Sequence, residues 1–183
     1  MKLSVLIPAI PSRWLMAVEL YNHVLTLAGS KPVEVLMLMD NKRRTIGKKR
    51  EALVQIARGD YVAFVDDDDW IAPEYFDQIL PATLSARDVI VFNTHSTING
   101  TYGVAQHSLK FDNEEFSADG FRRKPWQMHA WRRTIAQAHS FPDLQYGEDW
   151  GWCQKLCAEA KTEIRVEGPL YFYRYSDALT EAR

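Results

Sequence analysis

The chain of 183 residues contains only two cysteines, Cys153 and Cys157. That excludes a disulfide framework and a zinc site built on a cysteine quartet. In a segment read as helix, thiols four positions apart are packing groups, in keeping with a reducing cytosol. Long apolar runs are missing as well. The opening MKLSVLIPAIPSR is broken at Pro8 and Pro11, too short for the core of a signal peptide or a membrane span, so a soluble, cytoplasmic protein is expected. Neither sign of charge dominates: 22 Lys and Arg against 24 Asp and Glu leave a net charge of −2, with no global pull toward nucleic acid or membrane. No repeat, low-complexity tract or linker interrupts the chain. Aromatic residues, by contrast, are plentiful, with 6 Trp, 8 Tyr and 8 Phe. Hydrophobic content of 46% beside 25% charged residues fits one globular domain, long enough to bury a core without cross-links.

The apolar pattern predicts alternating strands and helices. Leu3 to Ile7 is a continuous apolar run, the mark of a strand buried on both faces. Ser12 is a candidate cap for a helix with Leu15, Val18, Tyr21, Val24, Leu25 and Ala28 inward, stopped by Gly29. Val33 to Met39 reads as a second strand ending in Asp40 and Asn41. Residues 46–58 read as a helix with Leu53, Ile56 and Ala57 inward and Gly59 as its stop. Tyr61 to Val65 makes a third strand, Pro73 opens a helix through Leu84, and Val89 to Phe92 makes a fourth strand. Such alternation implies an α/β fold with a mainly parallel sheet, flanking helices and a Rossmann-like N-terminal half. From 95 to 125 the period fades, although Asn99-Gly100 predicts a hairpin turn, so this half is read as antiparallel or irregular. Helices over 127–137 and 148–160 and a strand from Leu170 to Tyr175 complete the reading.

Two charged clusters carry the chemistry. The third strand runs directly into Asp66, Asp67, Asp68 and Asp69, and ligands of open parallel sheets bind at the carboxyl ends of the strands. Like charges at this spacing invite a cation, and oxygen-only ligation favours Mg2+ or Mn2+ over zinc. In an extended chain Asp66 and Asp68 would project to one side as a clamp. The competing reading is an acidic turn capping the next helix; a calcium loop is disfavoured further, because the Gly and terminal Glu of EF-hand spacing are missing. The second cluster, Lys42, Arg43, Arg44, Lys48, Lys49 and Arg50, surrounds a helix start whose free N–H groups would suit a diphosphate. Its bland alternative is a solvated basic face.

The segment IGKKREALVQIARGDYVAFVDDDDWIAPEYF resembles the donor-site core of glycosyltransferase family 2, the inverting enzymes of GT-A fold. Gly47, Arg50, Ala57, Gly59, Asp66, Asp68 and Asp69 carry the resemblance. LSVLIPAIPSR is similar to the family's first strand, QYGEDWGWCQKL to its G-E-D segment, and GPLYFYRYSDAL to its closing Y-x-Y-R stretch. Departures are Glu51 after the Arg, Leu53 at a common Gly position, and an Asn41 not followed by Gly-Ser.

The resemblance implies transfer of a sugar from a nucleoside-diphosphate sugar, a UDP-sugar first, to a saccharide or other hydroxyl-bearing acceptor. Asp40 would contact the nucleobase, and Pro8, Gly47, Arg50 and Asp67 would belong to the donor site. Asp66 would meet the ribose or the metal, Asp68 would coordinate Mn2+ or Mg2+, and Asp149 would be the general base with Glu148 as the alternative. Glu148 and Asp149 also suit the positive end of a helix on purely structural grounds. The whole of 1–183 would form one domain, 1–94 binding donor and 95–183 binding acceptor. A histidine completing the metal site is not evident, with Tyr175 and Ser176 in that neighbourhood. Trp126, Trp131, Trp150 and Trp152 would lie toward the acceptor, and His107 and His129 are further candidate contacts; core packing is the competing role for each. Rival readings are a metal-dependent nucleotidyl or phosphoryl transferase using the same aspartates, and a nucleic-acid-binding module built on 42–50 and Arg122 to Lys124. A nucleic-acid acceptor is a secondary alternative. Donor sugar and oligomeric state stay open.

Overall fold

In the computed structural model, which describes residues 1–112, 115–117 and 120–175, the first three apolar runs form parallel strands β1 (Leu3–Ala9), β2 (Val33–Met39) and β3 (Tyr61–Phe64). Their order is β2-β1-β3, with Leu6 opposite both Leu36 and Phe64. β1 is buried along its whole length because helices cover both faces, which is why its sequence does not alternate. Leu3, Val5 and Ile7 pack on one face with α1 (Trp14–Ala28) and α3 (Tyr75–Ala82). Leu6, Val62 and Phe64 pack on the other with α2 (Ile46–Ile56), α4 (Arg133–Ala138) and α5 (Glu148–Glu159). The architecture is α/β, as the alternation predicts.

Several local expectations are corrected. Ser12 lies inside a 3-10 turn, Pro11–Arg13, so Arg13 takes the cap position of α1 and makes no side-chain cap bond. The inward stripe of α1 is Ala17, Leu20, Val24 and Ala28, while Leu15 and Leu25 are exposed. α2 buries Leu53 and Val54 and leaves Ile56 in solvent. Gly59 is not its stop. A Cβ there would stand 2.5 Å from the Ser4 nitrogen, so this glycine permits the chain to pass against β1. Leu84 falls in a 3-10 turn after α3 and is exposed.

Long-range pairing extends or replaces other elements. β4 (Trp70–Ile71) exists because it pairs with β10 (Glu163–Tyr175). β5 runs over Val89–Ile98, well past Phe92, and turns back through Asn99 and Gly100 into β6 (Thr101–His107). Both turn residues have positive φ, 47° and 84°, as the two-residue hairpin requires. The helix expected over 127–137 begins instead with β9 (Ala130–Arg132), which enters antiparallel between β3 and β5. Beyond β6 lie β8 (Gly120–Arg123) and β7 (Glu115–Ser117), giving the order β2-β1-β3-β9-β5-β6-β8-β7 with β10 beside β5. Among the described residues no helix is long and apolar enough to cross a membrane. The carboxyl ends of β1, β2 and β3 deliver Ile10, Asp40 and Asp66 to one edge of the sheet.

Candidate active site

The chain leaves β3 in a turn, with the Asp69 N–H donating to the Asp66 carbonyl at 3.0 Å, rather than in the extended form expected. The four carboxylates still divide in alternation: the Asp67 side chain is 1% exposed and Asp69 is 3% exposed, against 21% for the Asp66 side chain and 18% for Asp68. Asp67 accepts the Ile10 N–H at 2.9 Å and pairs with Arg13 at 2.8 Å, fastening the end of β1 to the end of β3. Asp69 accepts the Tyr171 hydroxyl at 2.6 Å and the Arg174 N–H at 2.7 Å, fastening β10. Asp67, expected at the donor, is therefore turned into the interior. Burial pushes it up to about 6 against the pull of Arg13, and burial with Asp66 and Asp68 nearby raises Asp69 strongly. Arg13 also pairs with Asp68. Nothing in the motif pointed to Arg13; the signal was the need of four carboxylates for a cation.

Only two cations of the basic run are interior. Arg50 grips both Asp66 oxygens, at 2.8 and 3.0 Å, and donates its Nε–H to Glu148 at 2.9 Å. Burial alone would lower its pKa, but Asp66 and Glu148 outweigh burial and raise it. Glu148 is raised by burial, with Arg50 opposing and Asp149 adding to the rise. The pair is ionised, because a guanidinium does not deprotonate and its N–H is aimed at the carboxylate. Lys49 donates to the Ala9 carbonyl at 2.6 Å and pairs with Asp40 at 3.1 Å. The second Asp40 oxygen is buried with no hydrogen-bond partner among the described residues. Lys42, Arg43, Arg44 and Lys48 are exposed.

The expected anion cradle at the start of α2 is corrected. Its N–H groups are already used: Ile46 donates to Gln145 at 3.3 Å, Gly47 to the Leu144 carbonyl at 3.1 Å, and Lys48 to the Thr45 hydroxyl at 3.2 Å. Gly47 faces the protein rather than a ligand, since a Cβ there would meet the Pro142 carbonyl oxygen at 1.9 Å. The loop seated on it leads through Gly147 into α5, where Glu148 is committed to Arg50. Asp149 is half-buried and lines a cavity together with Asp66. Pro8 is buried inside β1 opposite Leu38, so it positions Ala9 and Ile10 rather than offering its own ring.

The cavity, about 520 Å³, runs from Asp66 and Asp149 outward along the β5–β6 hairpin. Trp126 and Trp150 meet beside it with ring centres 6.1 Å apart, whereas Trp131 and Trp152 are core residues. His107 and His129 are buried with rings 4.4 Å apart. His129 accepts the Trp126 N–H on Nδ1 and donates to the Phe92 carbonyl from Nε2, which fixes a neutral tautomer; burial holds its pKa down to about 4. His107 donates to the Lys124 carbonyl and accepts the Thr94 hydroxyl. Ser176 lies outside the described residues. No group of three His, Cys, Asp or Glu capable of holding a metal occurs among the described residues. The partly exposed pair Asp66 and Asp68 supplies hard oxygen donors only, which fits Mg2+ or Mn2+, ions that take further ligands from phosphate and water. Arg13 and Arg50 supply the counter-charge to the pair in this structure.

A parallel α/β core with a carboxylate cluster at the end of β3 and a cavity beside it has the architecture of the GT-A glycosyltransferases. The chain belongs to Glycosyl transferase family 2, whose model matches residues 19–139. It is 29% identical over 157 residues to EpsH of Bacillus subtilis (strain 168), a glycosyltransferase by its name, covering 74% of this chain and 45% of that protein. The chain thus spans under half the length of that relative. A crystal structure of S. aureus TarS 1-349 in complex with UDP-GlcNAc has a TM-score of 0.67 at 19% identity, covering 100% of this chain and 62% of that one. The TarS complex with UDP has a TM-score of 0.68 at 21% identity, over 96% of this chain and 61% of TarS. At these identities the structural likeness speaks for the fold.

Proposed function

We propose that this domain transfers a sugar from a nucleoside-diphosphate sugar, a UDP-sugar first, to a hydroxyl acceptor with inversion at the anomeric carbon. The observation that carries the reading is that Asp66, gripped by Arg50, and Asp149, from the start of α5, face one cavity from different elements. The TarS complexes with UDP and UDP-GlcNAc support the choice of donor. Residues 1–94 serve the donor and 95–183 the acceptor.

The unpartnered Asp40 oxygen suits an N–H of the nucleobase, with Lys49 holding the carboxylate in place. Asp66 and Asp68 would hold the cation, which when bound neutralises charge on the departing diphosphate. Asp149 takes the proton of the acceptor hydroxyl as that oxygen bonds to the anomeric carbon. The bond from this carbon to the diphosphate breaks on the opposite side, and its electron pair leaves with the nucleoside diphosphate. One displacement inverts the centre. Glu148 does not compete for the proton because its carboxylate is held by Arg50.

Release of UDP from UDP-GlcNAc, with product sugar followed by NMR, tests this reading. Asp149→Asn is expected to keep donor binding and lose roughly 10²–10⁴-fold in turnover, the usual worth of a positioned base. Asp68→Ala should remove the metal requirement together with activity. Release of a monophosphate or pyrophosphate instead would assign the site to nucleotidyl transfer.

A further inference from the structure

The outer part of the cavity has a floor of small residues. Cross-strand register pairs Thr94 with Ala105, Ser96 with Gly103 and Ile98 with Thr101, so alternate positions of the β5–β6 hairpin present one face to the cavity. The floor carries no charged side chain. On one side Tyr173 of β10 lies in register with Ser96, and on the other Phe121 of β8 lies in register with Ala105. Both aromatic residues line the cavity, three strand spacings apart across the sheet and two residues apart along it, or about 16 Å in all. At the inner end Thr94 and Ala105 are buried and the Thr94 hydroxyl is bonded to His107, while at the outer end Ile98 is exposed. Arg123 lies 3.5 Å over the Trp126 ring and 5.5 Å from that of Phe121, so its charge rests on aromatic faces. The result is a mainly apolar trough along the hairpin, with the two carboxylates Asp66 and Asp149 also in its lining.

The geometry points to an acceptor whose reactive hydroxyl is carried on a flat, apolar ring system, lying between Tyr173 and Phe121 on the Ser96 and Gly103 floor with its hydroxyl at Asp149. This rests on the sugar-transfer reading above and gives its acceptor class. The lining is mainly carbon, with the hydroxyls of Ser96, Thr101 and Tyr173 and the Gln127 amide as scattered polar groups; a free saccharide brings a hydroxyl on nearly every ring carbon, and each one left unbonded on leaving water costs free energy. A flat ring buries its faces there and needs one polar contact, at the end where the carboxylates stand. Gly103 sets the depth of the trough. A Cβ at this position meets nothing within 4 Å and its φ is not in the left-handed region, so a large side chain is accommodated by the fold and projects into the acceptor's space.

With UDP-GlcNAc as donor, 2-naphthylmethanol and benzyl alcohol are compared with methyl β-D-glucopyranoside as acceptors, in wild type and in Gly103→Phe. Acceptor binding is followed separately by quenching of tryptophan fluorescence, which Trp126 and Trp150 report. The aryl alcohols are expected to bind and to stimulate UDP release, and Gly103→Phe to weaken both by roughly tenfold or more, the scale of a steric block in a fitted pocket. The thermal shift produced by UDP should be the same in both proteins, which shows that the variant is folded and its donor site intact. UDP release stimulated by the glucoside alone, or aryl transfer unaffected by Gly103→Phe, overturns the acceptor assignment and leaves sugar transfer standing. Aryl alcohols that bind without UDP release in any mixture sink the sugar-transfer reading, and the acceptor role falls with it.

Discussion

Arg50→Met removes the cation that joins the end of β3 to the start of α5 while keeping most of the side-chain volume. In the native structure this guanidinium is ion-paired with one Asp66 oxygen at 2.8 Å, donates to the other at 3.0 Å and to Glu148 at 2.9 Å, and lies 5.0 Å from the centre of the Phe64 ring. Its loss strands two carboxylates, and they differ in cost. Asp66 is 21% exposed and recovers some hydration, whereas Glu148 at 6% does not. Breaking a buried ion pair from one side costs about 3–5 kcal/mol. With the Asp66 share discounted, about 3 kcal/mol is expected, or roughly 6–12 °C in melting temperature for a domain of this size. Urea unfolding at pH 7, followed by tryptophan fluorescence, measures it. Adding Glu148→Gln should recover part of the loss by removing the stranded charge. The deficit should also narrow as the pH falls and the stranded, buried Glu148, already raised by burial, takes up a proton. A loss below about 1 kcal/mol, or no recovery in the double variant, would refute the view of Arg50 as the keystone between these carboxylates.

Two further outcomes follow from the packing. Gly47→Ala drives a methyl group into the Pro142 carbonyl, 1.9 Å from its Cβ, and must displace the loop that leads to Glu148 and Asp149; it should cost about 1–3 kcal/mol and lower kcat while donor affinity holds, and wild-type turnover would contradict this. His129 is held to about 4 against an ordinary 6.5, so between these values the unfolded chain binds the proton and the folded one does not; its contribution is complete above about pH 6.5 and falls by roughly 3 kcal/mol as the pH drops toward about 4. Asp67, raised to about 6, acts in the opposite sense between 3.8 and 6, so the histidine effect is read as the difference in pH slope between wild type and His129→Gln. Equal slopes would contradict the buried neutral imidazole.

The parts of the site legible in the sequence are those fixed by local pattern. An apolar run followed by four aspartates places a carboxylate cluster at a strand's end, and Asn99-Gly100 specifies its own hairpin through the φ values it tolerates. What local pattern does not carry is pairing over long separations. β9 read as helix because a three-residue strand buried between β3 and β5 has no period of its own. The partner of Asp68 is Arg13, 55 residues away, and the N–H groups of α2 are taken by a loop nearly 100 residues on. The resemblance places Gly47 at the donor, and the residue type itself does not decide the matter. A glycine at a helix start looks alike whether a phosphate or the chain's own carbonyl approaches it. Asp66 and Asp68 separate from Asp67 and Asp69 as alternation suggested, although through a turn.

The account stands most directly on where a nucleotide sits. In a crystal structure with UDP and Mn2+, the base is expected at the free Asp40 oxygen and the diphosphate beside Asp66 and Asp68, with the cavity toward Asp149 left open for the acceptor. Nucleotide bound elsewhere at full occupancy, with Asp66 and Asp68 still paired to Arg50 and Arg13, would contradict it.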